Sequence, residues 1–210
     1  LAQRSEFLLD DGSHLIRLAH DTEACPGVLD ALVGAAEETT SGLRPLRSFD
    51  LRIPVMASND ARSKTLFDNA YGTGQSCWTT ILDLIDPRGI GAPVVGMSVV
   101  VIGYGDVGRG CARLGAALGA RVTVVELDPV RALQASMDGF AVASLEEAAA
   151  NAGMLISATG ERSTIPLSAL EAAPEGAIVT VAGGVDGEVS IDEAVAASWV
   201  MAESGDPHVQ

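Results

Sequence analysis

The sequence predicts an α/β fold built on a doubly wound parallel sheet, and three observations carry that reading. Short β-branched runs alternate with Ala- and Glu-rich stretches from about residue 97 onward. One run feeds directly into a glycine-rich turn, and an acidic residue closes the run after it.

Six runs read as strands in order: Val99-Val-Val-Ile102, Val122-Thr-Val-Val125, Ala141-Val-Ala143, Met154-Leu-Ile156, Ile178-Val-Thr-Val181 and Trp199-Val-Met-Ala202. The stretches 108–118, 130–137, 145–150 and 191–197 have helix-forming composition, and Asp128-Pro129 reads as an N-cap followed by proline at the first helical position. Upstream of 97 the rhythm is absent. There the sequence predicts two helices, 27–38 and 62–85, with no sheet, joined by a loop that contains Arg44-Pro-Leu46 and Ile53-Pro-Val55. The turn formers of 86–96 place a hinge, so the expected division is 1–96, part of a second, substrate-binding region, and 97–210, a nucleotide-binding domain.

Composition narrows the function. With 210 residues the chain can bury a sizeable core without disulfides or metals. Twenty-eight acidic residues against 13 basic ones give a formal charge of -15, which argues against a nucleic-acid surface and for small-molecule partners. Cys25, Cys77 and Cys111 have the spacing of neither a disulfide framework nor a zinc site, as expected for a reducing, cytoplasmic setting. His14, His20 and His208 stand at no metal or triad spacing, so no metal site is expected. No apolar run approaches the roughly 20 residues that cross a bilayer, so no membrane partner is expected. An opening Leu in place of Met is what a piece of a longer chain would show.

Gly103-Tyr-Gly105-Asp106-Val107-Gly108 follows a strand and opens a small-residue helix, the context of a Rossmann-type phosphate turn. Gly103 permits the tight turn, Gly105 lets the backbone approach a pyrophosphate, Gly108 allows close packing, and the helix start offers free N–H donors. Glu126 stands 18 residues after Gly108, at the end of the next strand, where an acid binds the adenosine ribose hydroxyls. A carboxylate there repels a 2′-phosphate, so NAD is the expected cofactor despite Arg131 nearby.

Polar groups are dense upstream: Asp10-Asp-Gly12, Glu37-Glu-Thr-Thr-Ser41, Asn59-Asp60, Lys64 and Phe67-Asp-Asn69. On a helix, Lys64 and Asp68 lie four apart on one face. That spacing serves either an ordinary surface pair or a proton-transfer pair.

Taken together, and in order, Asp10-Asp-Gly, Glu37-Glu-Thr-Thr-Ser-Gly42, Asn59-Asp-Ala-Arg-Ser-Lys64, Phe67-Asp-Asn-Ala-Tyr-Gly72, Gly103-Tyr-Gly-Asp-Val-Gly-Arg-Gly-Cys-Ala112 and Glu126-Leu-Asp-Pro129 resemble the S-adenosyl-L-homocysteine hydrolase family. The resemblance implies a homo-oligomeric enzyme that uses bound NAD without net redox change. The ribose 3′-hydroxyl is oxidised, the C4′ hydrogen is thereby acidified, homocysteine leaves, water adds and the ketone is reduced. It implies that Asp11, Glu38, Lys64 and Asp68, with Asn59 beside them, contact the nucleoside, and that Lys64 and Asp68 handle the 3′-hydroxyl proton. Thr39, Thr40, Ser41, Asn69, Gly105, Asp106, Val107, Glu126 and Thr159 are the implied cofactor contacts.

Three positions depart from the family pattern: Thr73 where the family has Cys, Gly184 where it has His, and Arg131 where it has Asn. Thr73 and Gly184 motivate a second reading, an NAD-dependent nucleoside oxidoreductase or epimerase of the same lineage. The short chain motivates a third, a non-catalytic NAD-binding regulatory module. A 2-hydroxyacid dehydrogenase ranks last, because it gives no reason for Glu37-Glu-Thr-Thr and Phe67-Asp-Asn.

Overall fold

A computed structural model describes residues 5–89, 91 and 93–200. The chain divides into two compact units, 1–69 and 70–210.

The first unit runs β1 (Phe7–Asp10), α1 (His14–His20), α2 (Val28–Ala31), β2 (Gly34–Glu37), α3 (Thr40–Leu46), β3 (Val55–Ala57), a 3₁₀ turn (Ser58–Asp60) and α4 (Arg62–Lys64), which passes into a π-helical stretch, Thr65–Gly72. Its strands are parallel and ordered β1-β2-β3, with Asp10 paired to Glu37 and Glu37 to Ala57. This corrects the expectation that the region has no sheet. It also corrects the helix expected over 27–38, where only the four residues of α2 are helical and β2 follows. Ala35 and Ala36 favour helix intrinsically. As the middle strand of a parallel sheet, however, β2 satisfies its backbone on both edges, and that pairing overrides a weak local preference. The expected loop around Arg44-Pro-Leu46 is likewise helical, within α3.

One face of this sheet is packed. Leu8 and Val55 lie against a core of Ile16, Ala19, Leu32, Ala35, Leu46 and Ile53. On the other face Phe7, Leu9 and Met56 are largely exposed. Buried His20 serves this core: its Nδ1 lies 2.7 Å from the Ile16 carbonyl, and its Nε2 accepts from the Arg52 amide.

The second unit begins with α5 (Thr73–Ile85), continues from the π-helical stretch, and then alternates: β4 (Ser98–Ile102), α6 (Asp106–Ala117), β5 (Arg121–Val125), α7 (Pro129–Met137), β6 (Ala141–Val142), α8 (Leu145–Ala149), β7 (Met154–Ser157), α9 (Leu167–Ala172), β8 (Ile178–Val181) and α10 (Ile191–Ala196). All strands are parallel, in the order β6-β5-β4-β7-β8. Both faces are covered, which explains the unbroken apolar run in β4. Val99 and Val101 enter one core with Trp78, Met154 and Ile156, while Val100 and Ile102 enter the other with Leu155 and Ile165.

The helix expected over 62–85 is present, although its middle is π-wound. The compact unit starts at Ala70, ahead of the boundary expected at 97, because α5 packs on α6. Trp78 is buried there and donates its indole N–H to the Cys111 carbonyl at 2.9 Å. Of the strand expected at 199–202, Trp199 and Val200 are not strand, and 201–202 lie outside the described residues, as does His208. Among the described residues no helix is long and apolar enough to cross a membrane, and no group of three or more His, Cys, Asp or Glu could hold a metal ion.

Candidate active site and cofactor cradle

In the first unit the functional groups gather at the carboxyl ends of the three parallel strands, where side chains of successive loops converge. Each of the first two strands ends in an acidic doublet whose members divide the work. Asp10 is buried, and its carboxylate accepts from the amides of Asp11 and Ile16. Glu37 is fully buried and accepts from the amides of Gly12, Ser13 and Thr39 and from the Thr39 hydroxyl. These two acids hold the loops in place. Glu38, the second member of its doublet, faces the polar cluster.

Lys64 is the centre of that cluster. Its Nζ lies 3.2 Å from Glu38 Oε1 and 3.4 Å from Asp68 Oδ2, and donates to Asn69 Oδ1 at 2.7 Å and Asn59 Oδ1 at 3.3 Å. Thr40 donates to the same Asn59 oxygen, and Asn59 itself is buried. The π winding matters here. Hydrogen bonds that close five residues apart accommodate the inserted residue, so that Asp68 at i+4 and Asn69 at i+5 both reach Lys64. The Lys64 side chain is only 19% exposed, whereas those of Glu38 and Asp68 are 40% and 55% exposed, so the ion pairs are screened by solvent on the carboxylate side.

Of the expected site residues, Lys64, Asp68, Asn59, Glu38, Thr40 and Asn69 are thus brought together. Thr39 caps α3 by accepting from the Gly42 amide, and Ser41 lies 3.5 Å from the Thr39 hydroxyl. Asp11 is exposed in the turn after β1 and is not brought to Lys64.

In the second unit the strand order reverses beside β4, so the ends of β4 and β7 bracket the switch point where such sheets bind ligands. Gly103 has φ +93°, a region that L side chains avoid, and a Cβ on Gly108 would lie 1.9 Å from the Gly103 carbonyl oxygen. The N-terminus of α6, twelve residues long, carries no side-chain cap, so its first amides and its dipole are open to an anion. Asp106 opens that helix in an ion pair with Arg109, and Val107 packs against the core. Glu126 accepts from the amide of Tyr104 at 2.6 Å and from those of Leu127 and Asp128, which ties the second strand end to the glycine turn. Asp128 caps α7 as expected, accepting from the amides of Val130 and Arg131. Thr159, after β7, lies against Gly103 and shares a hydrogen bond with Thr164. A glycine cradle, an uncapped helix and an acid at the adjacent strand end fit an adenine dinucleotide.

Residues that sequence reasoning missed are mostly buried acids. Besides Asp10 and Glu37, Glu188 is buried and accepts from Ser157 and Thr159, fixing the loop after β7. Asp10 and Glu37 close strand runs, a pattern that also describes any solvated carboxylate, and Glu188, in the loop between β8 and α10, carries no such signal. Burial pushes the Tyr104 phenol well above its usual range, helped by its hydrogen bond to Asp138. The Cys77 thiol is brought down to about 7 by its hydrogen bond with Cys111. That bond and burial push Cys111 strongly upward.

Fold and cradle define the second unit as a Rossmann-type dinucleotide-binding domain. Residues 69–206 match the family model "S-adenosyl-L-homocysteine hydrolase, NAD binding domain", and the chain belongs to that family, with NAD as its cofactor. It is 42% identical over 195 residues to an adenosylhomocysteinase of Thermotoga maritima, covering 91% of this chain and 46% of the relative. It is 44% identical over 190 residues to one of Pyrococcus abyssi (89% and 43%). It is 41% identical over 194 residues to an S-inosyl-L-homocysteine hydrolase of Methanothermobacter thermautotrophicus (90% and 45%). The chain therefore spans less than half the length of these relatives. Among solved structures, a dipicolinate synthase polypeptide of Bacillus halodurans shares the fold, with TM-score 0.62 and 18% identity over 88% of this chain and 62% of that one.

Proposed function

We propose that this chain provides the NAD-binding domain and a lysine-centred substrate cluster for hydrolysis of the thioether of S-adenosyl-L-homocysteine or its inosyl counterpart. One observation carries this reading: Lys64 Nζ lies within 3.4 Å of Glu38, Asn59, Asp68 and Asn69. A lysine so held has a fixed position beside two carboxylates that can accept a proton, which is what reversible deprotonation of a sugar hydroxyl requires.

Bound NAD supplies the reversible hydride acceptor for C3′ of the sugar. Lys64 and Asp68 take and return the 3′-hydroxyl proton. Glu38 and Asn59 orient the hydroxyls, and Asp11 contacts the nucleoside. Gly103, Gly105 and Gly108 clear the path for the pyrophosphate, and the α6 amides bind it. Glu126 accepts from the adenosine ribose. Thr39, Thr40, Ser41, Asn69, Asp106, Val107 and Thr159 are further cofactor contacts. We further infer a homo-oligomer, testable by light scattering, and a cytoplasmic setting, supported by three free cysteines.

The test is thiol release from S-adenosyl- and S-inosyl-homocysteine in the presence of NAD, followed with a thiol reagent. Release by the wild type and its loss in Lys64→Ala are expected. NADH formation without thiol release would instead favour the nucleoside oxidoreductase or epimerase that Thr73 and Gly184 motivate. NAD binding with neither product would identify a regulatory module.

A further inference from the structure

We propose that Arg131 is a further cofactor-binding residue, its guanidinium pairing with the pyrophosphate of the dinucleotide. The inference rests on the NAD-binding reading of the second unit and adds a residue to it.

The geometry starts at Gly105. That glycine stands where the backbone must let a pyrophosphate approach, so the direction its missing side chain would take points toward the ligand. A Cβ built there meets one neighbour within 4 Å among the described residues, Nη1 of Arg131 at 3.9 Å. The guanidinium therefore lies on the ligand side of the turn.

The surrounding acids make no ion pair with it. Asp106 pairs with Arg109, Glu126 accepts from three backbone amides and makes no ion pair among the described residues, and Asp128 caps the helix on which Arg131 sits. Among the described residues Arg131 forms no ion pair, and it is exposed. In a chain of net charge -15, a cation committed to no partner, placed over an uncapped helix N-terminus, supplies the local positive potential that a dianionic pyrophosphate needs. A planar guanidinium suits phosphate oxygens because it offers two parallel N–H donors.

Titration calorimetry of the wild type, Arg131→Ala and Arg131→Lys with NAD, ADP, adenosine and NADP tests this, with thermal melts as a check on folding. Arg131→Ala is expected to weaken NAD and ADP about tenfold and leave adenosine unchanged, with the salt dependence of NAD binding reduced. Arg131→Lys should recover part of the loss. Equal NAD affinity in wild type and Arg131→Ala overturns the inference while leaving the NAD reading intact. A loss confined to NADP overturns it as well, because it would assign the guanidinium to a 2′-phosphate. Failure of the wild type to bind NAD at all would remove the NAD reading and this inference together.

Discussion

The two units use the same device, a parallel sheet with its site at the carboxyl strand ends, and fill it in opposite ways. The Lys64 cluster is made of side chains: one ammonium, two carboxylates and two amides within 3.4 Å. The cradle in the second unit is made by leaving side chains out, at Gly103, Gly105 and Gly108, so that backbone amides stay open to a ligand. A site of charges is sensitive to removal of a single group. A site of absences is sensitive to addition of a single methyl. Their supports differ too, since the five-stranded sheet has a core on each face and the three-stranded sheet has one.

The sharpest test of this contrast is Lys64→Ala, which leaves Glu38 and Asp68 facing each other without their shared cation. Turnover is expected to fall by about 10³-fold, within the range for loss of a positioned proton carrier. NAD affinity and the melting temperature should stay near wild type. A parallel loss of NAD affinity would break the division of labour between the two sites.

Gly108→Ala is the converse. The added methyl would lie 1.9 Å from the Gly103 carbonyl oxygen, so α6 must shift. Denaturant titration should show a loss of about 1–3 kcal/mol, and NAD binding should vanish. Unchanged NAD affinity would show that close approach at this turn is not needed.

Glu126→Gln sits between these extremes. It keeps one acceptor oxygen for three amides and removes the charge that excludes a 2′-phosphate. NAD should bind roughly tenfold more weakly, equivalent to about 1.4 kcal/mol, and the preference over NADP should narrow in parallel titrations.

The smallest effect concerns α5. With its thiol lowered to about 7, Cys77 is largely thiolate above neutral pH. Its alkylation rate should therefore rise from pH 6 to 8 and level off, whereas a thiol at the ordinary value of 9.0 keeps gaining beyond 9. Cys111, pushed upward and buried, should resist modification throughout. Peptide mass mapping after timed iodoacetamide labelling checks both.

By itself, the sequence determined most of the second unit, but not α9 or the start of the unit at Ala70, and the strand expected from Trp199 is not formed at Trp199 or Val200. The strand runs, Asp128-Pro129, the glycine turn and Glu126 are local signals, each readable within a few residues because backbone conformation and helix capping depend on near neighbours. The first unit was legible as chemistry but not as architecture. Lys64, Asp68, Asn59 and Glu38 were named from their motifs, yet the sheet that gathers them was missed. Its strands are three or four residues long, too short to show a period, and the Gly34-Ala-Ala-Glu37 of β2 gains β structure only from partners far along the chain. The π winding that sets both Asp68 and Asn69 on Lys64, and the burial that turns Asp10, Glu37 and Glu188 into scaffolding, belong to the tertiary structure alone. Whether a carboxylate is a solvated surface group or a buried anchor is decided by which amides and hydroxyls surround it, and those come from elsewhere in the chain.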